Sequence, residues 1–159
     1  MDTKSIAAAI SNVHSLDLDF LVSDLERQGH SSDQANAAVE IYRQFLMTHA
    51  EFPKVPLVPT KLVDLAWHAH LMRPKRYYED CMLCFGHILD HEPGVYGTPA
   101  YIEAYRMTRN LVPYGNKMPE DPFAKTGTAG AECFAGAECF VGAECFVSPT
   151  AEREPVELA

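Results

Sequence analysis

The chain has 159 residues, of which 47% are hydrophobic and 22% charged, and its formal net charge is −9 at pH 7. This length and composition are typical of one globular domain with a single core and some additional chain. Because the chain is acidic and has no run of basic residues, we expect neither nucleic acid nor an anionic membrane as its main partner.

The beginning of the chain does not have the pattern of a secretion signal. The segment MDTKSIAAAISNVHSLDLDF has no basic start followed by a long apolar core and a small-residue cleavage site. No apolar run approaches the roughly 20 residues that span a bilayer. We therefore expect a cytoplasmic protein with reduced thiols.

Helical patterns follow one another up to residue 116. SIAAAISN predicts a short helix, and a leucine-rich segment leads from there to Gly29. Residues 31–33 supply N-cap chemistry for a helix whose apolar period is clearest over residues 38–49. The segment FPKVPLVP has three prolines and predicts an extended connection, after which Thr60 caps the next helix.

Two prolines predict the remaining helix starts. Pro74 fits a first helical turn, which places the break between helices near residues 71–73, and Thr98 followed by Pro99 opens another helix. Strand signals are nearly absent. The predicted fold is all-α: a compact helical bundle of residues 1–125 that folds by itself, followed by a flexible tail of residues 126–159.

The tail contains the repeat AGAECF, AGAECF, VGAECF, which places three cysteines six residues apart: Cys133, Cys139 and Cys145. The favoured interpretation is a flexible low-complexity tail with accessible thiols, because Ala/Gly-rich hexads bury little apolar surface. A second is a thiol-rich arm that binds or exchanges a soft metal, although this spacing is not the CxxC spacing of zinc sites. A third is a parallel coil of hexapeptides, for which three repeats are too few.

Residues 63–91 concentrate side chains that can bind metals, including four of the seven His and two of the five Cys. A helical residue advances by about 100°, so Asp64 and His68 share a face on which the carboxylate can orient the imidazole. His68 and His70 point to nearly opposite sides of a regular helix. The next helix, if it continues through Gly86, carries a stripe that excludes Cys81 and consists of Asp80, Cys84, His87 and His91.

Structural roles compete with this interpretation. Trp67 is expected to be a core anchor, a buried Cys is commonly inert, and any one His can be a hydrogen-bonded structural residue. Four His together favour a zinc or copper site, either in a metal-binding protein or in a metal-dependent enzyme that modifies peptide cysteines, including those of its own repeats. A third option is an interaction module for a peptide or protein partner. The chain has no phosphate loop, GxSxG or HExxH motif.

The run YRQFL, the proline-rich link, VDLAWHAHLMRPKRYYEDC and FGHILDHEPGVYG resemble the glycine-rich domain-containing protein-like family over about residues 35–115. The family pattern runs Asp-x-x-Trp-His-x-His, Tyr, Asp-Cys, Phe-Gly and His. In this sequence it selects Asp64, Trp67, His68, His70, Tyr78, Asp80, Cys81 and His91. His87 stands where family members often have an aromatic residue. The resemblance implies a compact helical domain with a Gly- or Cys-rich tail.

Helical spacing and the family pattern select different ligands but agree on His68 and His91. We therefore expect these two to bind zinc or copper, oriented by Asp64 and by Asp90. His70 is the expected third ligand, on the hypothesis that the helix unwinds before Pro74 and turns it inward.

Overall fold

The computed structural model describes residues 3–123, 140–143 and 145–147. Within them lie six α-helices, α1 (Thr3–Ser15), α2 (Asp19–Arg27), α3 (Ser32–Glu51), α4 (Lys61–Leu71), α5 (Pro74–Phe85) and α6 (Pro99–Leu111), and two strands, β1 (His91–Pro93) and β2 (Cys145–Val147). The predicted helical fold class is confirmed. In this part of the chain, no helix is long and apolar enough to cross a membrane.

Local sequence sets the helix starts. Ser31, Thr60 and Thr98 each accept a hydrogen bond through the side-chain oxygen from the backbone N–H three residues later. Pro74 and Pro99 occupy the first turns of α5 and α6, where a missing N–H costs no intrahelical hydrogen bond. These five positions act as the sequence predicted.

The core is built around α3, which packs against α1, α2 and α4. Phe45 of α3 and Trp67 of α4 are fully buried, with ring centroids 5.6 Å apart. The indole N–H of Trp67 donates to the Tyr77 hydroxyl (3.0 Å), which in turn donates to the carbonyl of Leu89 (2.6 Å). The expected anchor role of Trp67 is confirmed, and these bonds tie the chain that follows α5 to α4.

Part of the third hexad packs on the helical part as β2. It runs antiparallel to β1, with His91 opposite Val147 and Pro93 opposite Cys145. No pattern in the sequence indicated this strand pair, because two short strands far apart in the chain produce no local hydrophobic period. The boundary between a 1–125 domain and its tail stays a prediction. Cys133, Cys139 and the side chain of Cys145 lie outside the described residues.

Candidate metal centre

Three metal-capable side chains meet on one side of α4: Asp64, His68 and His91. One possible ligand atom from each lies within 4.8 Å of the other two. Asp64 stands between the imidazoles, with Oδ1 2.9 Å from Nε2 of His91 and Oδ2 3.1 Å from Nδ1 of His68. The two rings cross at 77° with centroids 4.7 Å apart. The two histidines on which spacing and family pattern agreed therefore lie in one cluster with Asp64.

Helical spacing positions two members of the cluster and tertiary contacts position the third. Asp64 and His68 lie one turn apart on the regular helix α4. Gly86 ends α5 with a positive φ of 73°, a conformation that favours glycine. Beyond it the chain brings His91 to the start of β1, where the ring packs against Trp67 at a centroid distance of 4.5 Å. The helical stripe predicted through Gly86 does not form.

The cluster is open to solvent on the His68 side. The exposed fraction of the side chain is 56% for His68, 25% for Asp64 and 13% for His91. Nδ1 of His68 also lies 2.8 Å from the backbone carbonyl oxygen of Asp64. The tautomer of the neutral ring decides which of its two nitrogens carries the lone pair that could bind a metal. The arrangement therefore suits a metal bound at the rim of the domain.

His70 lies apart from this cluster on the buried side of α4. Its Nδ1 is 2.9 Å from the Tyr42 hydroxyl and its Nε2 is 2.9 Å from Oδ2 of Asp80. Burial lowers the pKa of His70, opposed by the hydrogen bond to Asp80. Because α4 stays regular to Leu71, the expected unwinding does not occur. The structure does not bring His70 to His68.

The other predicted ligands on α5 face the core. Arg76 donates to the buried carboxylate of Asp80 (3.0 Å). Burial raises the pKa of Cys81, and burial together with Asp80 raises the pKa of Cys84 to about 12. Both cysteines are therefore protonated thiols near neutral pH, and thiolates are the species that bind metal. Within the described ranges they do not join the Asp64 cluster.

The partly buried His87 lies near His49 of α3, which is fully buried. Their ring centroids are 6.3 Å apart, and Nδ1 of His87 lies 2.9 Å from the carbonyl oxygen of Phe85. His49 is fully buried, and among the described residues neither of its ring nitrogens has a hydrogen-bond partner, nor does Nε2 of His87. Sequence reasoning placed His49 on the buried face of its helix but did not pair it with His87, because no spacing links residues so distant in the chain.

The fold and the cluster define a mostly helical protein with a solvent-open His/Asp site. Residues 16–80 match the family model described as glycine-rich domain-containing protein-like, and the resemblance is confirmed over this segment. The match includes Asp64 and His68, while His91 lies beyond it. No curated protein and no solved structure matches the chain.

Proposed function

We propose that the protein binds a divalent metal ion, zinc in first place, through Asp64, His68 and His91. The observation that supports this is the convergence of one carboxylate and two imidazoles, with possible ligand atoms within 4.8 Å of one another. Zinc binds His nitrogens and Asp oxygens at about 2 Å, so two ligand atoms of one ion stand roughly 3–4 Å apart. The cluster therefore fits zinc with small side-chain adjustments.

The ligand types favour zinc over monovalent copper. Cu(I) selects soft thiolate and thioether ligands, whereas imidazole and carboxylate suit zinc and other divalent ions. Cys81 and Cys84 are buried in the core and are held as thiols by the raised pKa of each side chain. Divalent copper can use the same imidazoles, and elemental analysis separates it from zinc.

The number of protein ligands supports a second candidate function. Three ligands leave one position of a tetrahedral zinc open, and catalytic zinc sites use such a position for a water molecule. Because the His68 side chain is exposed, solvent water would have access to a metal held there. An enzyme that modifies peptide cysteines, such as those of the AECF repeats, stays a proposal, as does the cytoplasmic location.

Elemental analysis of the full-length, tag-free protein tests the proposal. We expect one zinc per chain, and loss of that zinc in Asp64→Asn and in His91→Ala. His14→Ala is the matched control, because His14 is exposed and lies on α1 outside the cluster. His87→Ala should also keep the zinc, because His87 packs near His49 and not near Asp64.

Thermal melting with added zinc distinguishes a ligand from a structural histidine. A metal that binds only the folded chain stabilises it by about 2.7 kcal/mol at a hundredfold excess over Kd. This zinc-dependent rise in melting temperature should vanish in His91→Ala. A structural role alone would lower the melting temperature of the variant equally with and without zinc. Full zinc content in the His68→Ala, His91→Ala double variant would refute the proposed ligands and favour an interaction module with structural histidines.

A further inference from the structure

The last described residues fill a groove between the 57–61 segment, β1 and α6, which we call the repeat groove. Besides the β1–β2 pairing, two isolated bridges join these residues to the 57–61 segment, between Leu57 and Val147 and between Thr60 and Gly142. Three backbone hydrogen bonds hold residues 141–147 in the groove. The N–H of Val147 donates to the carbonyl of Leu57 (2.8 Å), and the N–H of Ala143 donates to the carbonyl of Pro59 (2.8 Å). In the opposite direction, the N–H of Lys61 donates to the carbonyl of Val141 (2.9 Å). The groove thus binds residues 141–147 through backbone hydrogen bonds, with Cys145–Val147 as an added strand.

Side chains in the repeat groove select a particular sequence. Val141 and Val147 are buried, with 7% and 1% of their surface exposed. Between them, a Cβ added to Gly142 would lie 2.5 Å from the hydroxyl oxygen of Tyr101 and 3.0 Å from the ring of Tyr105. The same Tyr101 hydroxyl donates to the carbonyl of residue 143 (2.8 Å). A side chain at position 142 would therefore require Tyr101 and Tyr105 to move, so the groove favours glycine directly after Val141.

A second segment of the chain meets these requirements. Residues 140–147 read FVGAECFV, and residues 134–141 read FAGAECFV, so the two differ at one position, where Ala135 takes the place of Val141. Gly136 takes the place of Gly142. We propose that the repeat groove is a recognition site for this sequence and that residues 134–141 are its second occupant, so the tail docks in two registers six residues apart.

The two registers exclude each other, because Phe140 and Val141 belong to both segments. The chain can reach either one. Phe123 stacks on Tyr101 at a centroid distance of 6.2 Å, so the chain leaves the helical part beside the groove that it re-enters. In the second register residues 124–133 make this connection and can span up to roughly 33 Å.

The apolar surface buried at the position of Val141 sets the equilibrium ratio of the two registers. Ala135 has two carbons fewer than the Val141 that it would replace, which predicts a roughly ten-fold preference for the observed register. A move to the second register changes which cysteine lies opposite Pro93, from Cys145 to Cys139.

Amide hydrogen exchange of the full chain, followed by NMR, tests the proposal with Gly142→Val, which blocks the observed register. The Lys61 N–H donates to the bound segment in either register, so it is protected from exchange in both. The Ala143 N–H is protected only in the observed register, and the Ala137 N–H only in the second. We expect Lys61 to stay protected in this variant, Ala143 to lose protection and Ala137 to gain it. In Gly136→Val, Gly142→Val, Lys61 should lose protection as well.

A milder variant tests the balance without blocking either register. Ala135→Val makes the two eight-residue segments identical, so the ratio of the registers should fall from roughly ten to about one. Ala129→Val is the matched control and should leave the ratio unchanged, because residue 129 lies outside both segments. If Gly142→Val exposes Lys61 as fully as the double variant does, or if Ala135→Val keeps the ten-fold ratio, the groove holds a single register and the proposal fails.

Discussion

His49 should make the folded protein sensitive to acid. Its side chain, on α3, is fully buried, and the ring of His87 lies 6.3 Å away. Within the part of the chain that the structure describes, neither ring nitrogen of His49 has a hydrogen-bond partner. Burial, and then the neighbouring His87, lowers the pKa of His49 from 6.5 to about 4. The informative perturbation is His49→Leu, which removes the titrating group and keeps an apolar side chain in the core.

The sign and size of the effect follow from the two pKa values. The unfolded chain binds a proton on His49 near pH 6.5, and the folded chain binds it only near pH 4. Unfolding therefore takes up a proton between these values, and the stability present above pH 6.5 is lost as the pH falls through 4. The gap between the two pKa values corresponds to about 3 kcal/mol in the free energy of unfolding.

Urea unfolding at pH 7.5 and pH 4.5, followed by circular dichroism, measures the effect. Other groups titrate in this range, so the relevant quantity is the loss of stability in the wild type minus the loss in His49→Leu, which should be about 2.5 kcal/mol. His14→Leu, at an exposed position, should behave as the wild type. Equal losses in the wild type and His49→Leu would show that His49 is not held neutral by burial.

Two further predictions concern the segments that shape the candidate centre. Tyr77→Phe should lower the free energy of unfolding by about 3 kcal/mol in urea, because it leaves the Trp67 N–H and the Leu89 carbonyl without the hydroxyl that joins them. Gly86→Ala should cost about 1 kcal/mol, measured by thermal melting, because φ is 73° at that position and alanine is strained there.

Each of these predictions has a matched comparison. Tyr78 follows Tyr77 in α5 and is 52% exposed, so Tyr78→Phe should leave the stability almost unchanged. If Tyr77→Phe also left the stability almost unchanged, the proposed role of the Tyr77 hydroxyl would be contradicted. Gly86→Asn should cost less than Gly86→Ala, because asparagine tolerates the left-handed conformation better. Unchanged stability in Gly86→Ala would mean that α5 can end in another way.

The helix starts and the pairing of Asp64 with His68 followed from the sequence, because both depend on residues within one helical turn. A cap side chain bonds a backbone N–H three residues later, and side chains four apart share a helix face. Likewise, the sequence showed that His70 would point away from His68 on a regular helix, and the structure has it bonded to Tyr42 and Asp80. The hypothesis that α4 unwinds before Pro74 was wrong, because no residue in α4 breaks the helix before Leu71.

The sequence by itself thus determined a helical protein, the starts of α3 to α6 and the Asp64/His68 half of the candidate centre. Only the tertiary structure decided that His91 completes the cluster, that His87 packs near His49, and that part of the third hexad forms a strand against β1. The physical reason is that these contacts join segments far apart in the chain. Their geometry depends on the direction that the chain takes after Gly86 and on the groove that the packed helices form for residues 140–147. Residue spacing and composition do not specify either one.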